Sequence, residues 1–588
     1  MTSARPLASM SAADLDDPRL QALAIDPGPA ARVAVLAPAA TEPCLVLGLR
    51  GSGKTHALRL WSWPVAGQRA PDADGLDLAR ADGCLAVHFR PSAFDARRYR
   101  GRGGASAGAG WQAAFARQIE WRMAERLLAV LDGWRRRCGD AGFDDAVWRR
   151  AAAGLAVGRP AGEGGEGGEG GGSPVESSGA PVGPIALLGV IVDARRRLDI
   201  DAARAPAERP PALPADPPGA VLRALADAWA GWHPALVALP LVLVIDEAEL
   251  LPADQLARLG ALLAETVIAR DGSGEPFTAL RIRVAGRREL AREPAFAGWP
   301  RCCWDELLRR QPHWPVLAQA LLDRRLAPGA LPPLAEAPGA GLGALIDATA
   351  GNPGLLLALF DRLALLVWQR GFRFGGPDDD GGIDAPLPAA LQAEALAATA
   401  RDFIEPPPAA RGDPRTLDAR RAPPPAAREA LRRLAQAVTA LAGATPPRQI
   451  VVATGELDAH AAATLAAVLD AGWLLEAAPP AAADAPRAPE ADLLVSAAPL
   501  APAAFPALPA RLRVIAHPLA GLRLGLASGA AGSFVLDARL ALAVFGGMER
   551  EGFARLLGAA RVGPTAGGEV AGDGDGPADD GAGQASLF

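Results

Sequence analysis

Gly48-Leu49-Arg50-Gly51-Ser52-Gly53-Lys54-Thr55 is the stretch on which the reading of this chain turns. It fits G-x-x-x-x-G-K-[ST] at every fixed position. It follows the apolar run Cys44-Leu45-Val46-Leu47 and opens a helical pattern from His56 to Leu60. A strand, a glycine-rich turn and a helix start, in that order, make a phosphate-binding loop. The glycines let the backbone turn tightly and aim its N–H groups inward. The helix N-terminus adds partial positive charge where a β-phosphate sits. Lys54 brings a point charge to the β- and γ-phosphates, and the Thr55 hydroxyl is placed to ligate magnesium. Lys54 is also the only lysine in the chain. Arginine serves everywhere else, and a compact ammonium stands where a planar guanidinium fits poorly. The candidate nucleotide contacts are Gly48, Gly51, Ser52, Gly53, Lys54, Thr55 and His56.

Downstream, Leu241-Val242-Leu243-Val244-Ile245-Asp246-Glu247 is a continuous apolar run ending in two carboxylates. Such a run suits a strand buried on both faces. Its end lies at the carboxyl edge, where open α/β sheets bind ligands. Asp246 is placed to hold magnesium and Glu247 to orient or deprotonate water. The alternation Leu280-Arg281-Ile282-Arg283-Val284-Ala285-Gly286 predicts a third strand, with Arg287 at its carboxyl end. Arg287 reads equally as a γ-phosphate contact or as a surface residue. Arg281 and Arg283 on one face argue that this strand is partly exposed. Ala350-Gly351-Asn352-Pro353-Gly354 is a turn and a proline-led helix start.

Composition bounds the rest. A chain of 588 residues holds two to four domains, and its hydrophobic half, mostly Ala and Leu, favours helices. A net charge of −6 gives no reason to expect tight non-specific nucleic-acid binding, though it permits a local basic patch. Five cysteines without metal-ligand spacing indicate a reduced, cytoplasmic protein. Asp14, Asp16 and Asp17 do not suit a secretory signal. The run Ala235 to Ile245 contains Pro240 and is too short to span a bilayer, so no membrane role is expected. Trp111 to Trp134 places Phe115, Ile119, Met123, Leu127 and Leu128 at helical spacing. Arg97-Arg98-Tyr99-Arg100-Gly101-Arg102 is a basic loop, read as solvated ahead of a phosphate contact.

The phosphate loop, the Asp-Glu strand, the strand ending at Arg287 and a helical segment carrying Gly-x-Pro together resemble an AAA+ ATPase over roughly residues 40–370. The resemblance is to the initiator (origin-recognition-like) and STAND branch. It implies an α/β fold: a P-loop NTPase parallel sheet with a helical lid, followed by a mainly helical, winged-helix-like C-terminal region. It implies ATP and Mg2+ as ligands. Lys54 and Thr55 would bind phosphates and magnesium, Asp246 magnesium, Glu247 the attacking water, Arg287 the γ-phosphate, and Gly351–Pro353 would pack near the nucleotide. Two features depart from the family: the lid lacks an arginine near its helix start, and no arginine finger is assignable. Both favour a slow switch.

The expected organisation is a leader over 1–40, a core over 41–312 with a flexible insertion at 157–184, and a lid over 313–375. A linker over 376–426, a winged-helix-like module over 427–561 and a tail over 562–588 follow. In the module, Trp473-Leu474-Leu475 reads as a short strand, and Arg428, Arg432 and Arg433 are a thin basis for DNA contact. The tail ends in Gln584-Ala585-Ser586-Leu587-Phe588, which resembles the pentapeptide by which bacterial proteins bind the DNA sliding clamp. There Gln584 would make polar contacts and Leu587 and Phe588 would fill an apolar pocket. Two functions stay open: an ATP-hydrolysing switch acting on or near DNA in replication, repair or anti-phage defence, and a signalling scaffold that uses ATP or ADP as a conformational ligand and forms nucleotide-dependent homo-oligomers.

Overall fold

The computed structural model describes residues 15–23, 25–36, 43–92, 99, 109–139, 142–155, 183–205, 210–214, 216–268, 280–310, 314–325, 333–370, 386–405, 423–442, 447, 449–476, 494–495, 511–526 and 533–562. Insertion residues 157–182, the four arginines of the basic loop (Arg97, Arg98, Arg100 and Arg102) and Gln584, Leu587 and Phe588 lie outside these.

Five strands form a parallel sheet: β1 (Cys44–Leu47), β2 (Leu85–Phe89), β3 (Leu241–Ile245), β4 (Leu280–Gly286) and β5 (Arg301–Cys303). Their order is β2-β3-β4-β1-β5, with every neighbouring pair parallel. The pleat sorts the apolar runs to two faces. Leu45, Leu47, Leu241, Leu243, Ile245 and Ile282 meet the helices Ala109–Arg135, Ala220–Trp232 and Ala253–Ile268. Cys44, Val46, Val242, Val244 and Ala285 meet the helices Pro29–Leu36, Lys54–Trp61 and Trp304–Arg310. Burial on both faces is why β1 and β3 carry no polar residue. The N-terminal region has a P-loop NTPase fold.

Arg283 corrects one expectation. It is fully buried in the middle of the sheet. Its Nε donates to Val35 O at 2.8 Å and its Nη1 to Ile282 O at 2.9 Å. Carbonyls from the helix Pro29–Leu36 and from its own strand accept from two of its nitrogens, so an arginine here does not mark an exposed face.

The helices Trp314–Arg325, Leu342–Asp347 and Pro353–Gln369 pack together as the lid. The stretch expected as a linker contains a further helix, Ala389–Ile404, whose Leu391, Ala395, Leu396 and Ala400 join the lid core. Proline and glycine on either side obscured that apolar stripe.

The C-terminal region is helical, with helices Pro425–Leu441, Ala459–Asp470, Pro518–Leu524, Ala538–Phe545 and Arg550–Val562. It also holds a four-stranded sheet, more than the single short strand expected. The strands are β6 (Gln449–Ala453), β7 (Leu474–Glu476), β9 (Arg511–Ala516) and β10 (Ser533–Leu536), in the order β10-β6-β9-β7. The two-residue strand β8 (Leu494–Val495) pairs antiparallel with β5. Arg433 is buried, accepted by Glu429 and by Ala543 O, so it is withdrawn from any surface role. Arg432 is exposed and paired with Glu405 at 2.7 Å. Tyr99 is buried and donates to Asp199 Oδ1 at 2.9 Å. No helix among the described residues is long and apolar enough to cross a membrane.

Candidate functional site

β1 delivers the chain to Gly48, whose amide donates to Gly286 O at 3.2 Å. The loop then turns through Gly51 (φ 77°) and Gly53 (φ 83°) into the helix Lys54–Trp61. Both positions need the left-handed conformation that glycine adopts without strain. Lys54 folds back along the loop, and its Nζ donates to Gly48 O (2.8 Å), Leu49 O (3.0 Å) and Ser52 Oγ (3.2 Å). Burial pulls its pKa down, against the opposing pull of Asp305, Glu249 and Asp246.

The residues just after β5 brace the loop from one side. The Leu49 amide donates to both Asp305 oxygens, at 3.0 and 2.8 Å. Trp304 Nε1 donates to Ser52 O at 2.6 Å. Arg288 stands 3.5 Å from Asp305 Oδ2. The lid braces it from another. Asn352 caps the helix Pro353–Gln369 by accepting from the Gly354 and Leu355 amides, and its Nδ2 donates to Arg50 O at 3.1 Å. The Gly354 amide donates to Gly51 O at 2.8 Å. A Cβ on Gly53 would touch Pro353 Cγ at 3.4 Å, which puts Pro353 against the loop. The C-terminal region closes a third side: a Cβ on Gly472 would come within 2.6 Å of the Leu49 side chain.

The acidic end of β3 lies beside the loop. Asp246 is buried, and its Oδ2 accepts from His88 Nε2 at 3.1 Å. Burial pushes its pKa up, yet the His88 hydrogen bond and charge, the Thr55 hydroxyl and Lys54 outweigh this, and the net shift is downward. Asp246 is therefore a carboxylate at neutral pH. One hydroxyl and one carboxylate in contact, with a histidine fixing the carboxylate from behind, fit a hard cation that keeps waters and phosphate oxygens for its other ligands. Among the described residues no group of three or more His, Cys, Asp or Glu side chains forms a self-sufficient metal site.

Glu247 sits differently. Its backbone is left-handed (φ 54°), and its Oε2 is 2.5 Å from the guanidinium of Arg90, just past β2. Two residues on, Glu249 Oε1 lies 3.9 Å from Arg287 Nε. Burial raises the Glu249 pKa, partly offset by its own backbone amide, Lys54 and Arg287. Arg287 thus stands at the end of β4 and within the electrostatic reach of Lys54.

The structure brings together Gly48, Gly51, Ser52, Gly53, Lys54, Thr55, Asp246, Arg287 and Pro353. Glu247 is at the same edge but engaged by Arg90. His56 is on the helix turn beyond the loop, 3.1 Å from an Arg325 nitrogen, and burial, Arg325 and Arg59 lower its pKa to about 4. It is a neutral side chain there. Sequence reading missed His88, Arg90, Glu249, Trp304 and Asp305, and named Asn352 only as part of Gly351–Pro353. Glu249 was within reach, three positions after Asp246; the others come from distant segments.

Comparison with curated proteins and with solved structures finds no match. A family model described as ORC-CDC6-like matches residues 8–267, which covers β1 to β3, the phosphate loop and the Asp-Glu pair. Over that stretch the chain is similar to the ORC-CDC6-like family.

Proposed function

We propose that this protein binds ATP with Mg2+ and hydrolyses it, as an AAA+ switch that acts on or near DNA in replication, repair or anti-phage defence. The observation that carries the reading is the meeting of Lys54, the Thr55–Asp246 pair and Arg287 at the carboxyl edge of one parallel sheet. Bound magnesium, held by Thr55 and Asp246, supplies neutralising charge to the phosphates. Lys54 exchanges its bonds to the loop carbonyls for phosphate oxygens. The loop amides and the helix N-terminus cradle the β-phosphate. Arg287 reads the γ-phosphate, and the turn after β3 supplies the carboxylate that orients water, Glu247 being the residue its motif offers. Movement of the lid follows, because Asn352 and Gly354 are bonded directly to the loop. The DNA role is supported by the likeness of residues 8–267 to initiator proteins, and Gln584, Leu587 and Phe588 are the proposed tether to a bacterial sliding clamp.

Phosphate release by the full-length protein, alone and with single- or double-stranded DNA, tests this. Turnover stimulated by DNA and lost in Lys54→Ala is the expected result. The scaffold reading is favoured by one observation, the Arg90 hold on Glu247. It predicts a nucleotide-dependent change of mass in gel filtration with no phosphate release.

A further inference from the structure

A groove of about 860 Å³ runs between the helices Pro425–Leu441 and Arg550–Val562 and is closed by the end of the helix Pro518–Leu524. Its floor is apolar: Phe553 is buried there, with Leu524 and Leu557 half-buried beside it. Its rim is cationic, for Arg432, Arg433, Arg523 and Arg550 all line it. Glu429, the one carboxylate among the described lining residues, stands 3.4 to 3.9 Å from Arg432, Arg433 and Arg550. Arg432 also reaches Glu405 at 2.7 Å, and the Arg433 guanidinium lies 5.7 Å from the Phe553 ring centre. Arg523 is exposed, with no ion-pair partner among the described residues. Four guanidiniums thus meet two carboxylates, and a surplus of positive charge sits over an apolar floor.

The chain carries the complement of this surface. Residues 563–588, next after the helix Arg550–Val562, hold Glu569, Asp573, Asp575, Asp579 and Asp580 and no arginine or lysine. Leu587 and Phe588 add two large apolar side chains. From Val562 back to Arg550 the wall helix is about 18 Å long. Six or seven extended residues cover roughly that span, and Glu569 is the seventh after Val562. We propose that the segment 563–588 turns back into this groove, its carboxylates against Arg523 and Arg550 and its apolar pair on Phe553 and Leu557. A nucleic-acid backbone would meet the same arginines but leave the floor uncovered. Exposed ion pairs contribute little one at a time, and the tether offsets this by raising the local concentration to about millimolar. Docking there sets the groove in competition with any partner of Leu587 and Phe588, the proposed clamp included. The docking itself does not rest on that reading.

The test uses the full-length chain and a fluorescein-labelled peptide of residues 563–588, with binding read by anisotropy. In one variant the chain's own segment is silenced by Glu569→Gln, Asp573→Asn, Asp575→Asn, Asp579→Asn, Asp580→Asn, Leu587→Ser and Phe588→Ser together. This variant should bind the peptide about 10- to 100-fold more tightly than wild type, whose groove is already filled. Adding Arg523→Glu and Arg550→Glu to it should remove that gain, while Arg523→Lys with Arg550→Lys should stay within about threefold. Raising salt from about 0.05 to 0.5 M should weaken the complex. The proposal is overturned if wild type and the silenced variant bind the peptide alike, if neither binds it, or if the two charge reversals leave binding unchanged. A short DNA duplex that the silenced variant holds through Arg523 and Arg550 while ignoring the peptide also overturns it, in favour of a nucleic-acid occupant.

Discussion

Gly354→Ala places one methyl group at the tightest joint of the site. The added Cβ would lie 2.7 Å from Gly51 Cα, 2.9 Å from Gly51 O and 3.2 Å from Gly51 C. All three are backbone atoms of the phosphate loop, so no side chain can swing aside. Ordinary contact requires the lid helix to withdraw by roughly an ångström. That stretches the 2.8 Å bond from the Gly354 amide to Gly51 O, and the 3.1 Å bond from Asn352 to Arg50 O, beyond useful length. Overpacking of this kind costs about 1–3 kcal/mol, or roughly a 5- to 150-fold shift from docked to undocked lid. The assay is amide hydrogen exchange over the start of the helix Pro353–Gln369, read together with ATP affinity. Gly343→Ala in the neighbouring lid helix is the control, because nothing lies within 4 Å of its added Cβ. That change should be neutral or stabilise by a few tenths to about 1 kcal/mol. Faster exchange and weaker binding are expected for Gly354→Ala alone. Equal behaviour of the two variants would refute the argument that the lid rests on the loop.

Two other perturbations probe the support of the site. Asp305→Ala leaves the buried Leu49 amide without an acceptor and should destabilise the ATPase core by about 1–3 kcal/mol; a change below about 0.5 kcal/mol in denaturant unfolding would contradict that role. Brief maleimide labelling near neutral pH, located by mass spectrometry, should modify Cys303 first, since Cys44, Cys84, Cys138 and Cys302 are buried. Burial pushes the Cys84 and Cys138 thiols up to about 12, which leaves almost no thiolate, and rapid labelling of either in the native protein would contradict the packing described.

The strands β1 and β3 were legible because a strand covered on both faces has to be apolar throughout, and nothing else in the chain explains such runs beside a glycine loop and an acidic pair. β5 was not legible: three residues are too few to show a period, and its two cysteines drew attention only as thiols. The alternation Arg511-Leu512-Arg513-Val514 did carry a signal, since the arginines are exposed and the apolar residues buried. Trp304 and Asp305 had no local signature, and Asn352 showed only as part of a turn before a proline-led helix start. Asp305 lies 256 positions from Leu49 and Asn352 lies 302 from Arg50, so only the fold brings them together. The left-handed backbone at Glu247, where its carboxylate meets Arg90, is likewise something a string of letters does not display.

The most direct test of the central claim is a calorimetric titration of ATP into the full-length protein, with magnesium and with the metal chelated, for wild type and Lys54→Ala. Saturable binding to wild type that weakens without magnesium and disappears in Lys54→Ala is the predicted result. Unchanged binding in Lys54→Ala, or none in wild type, would contradict the assignment of Gly48–Thr55 as the nucleotide site.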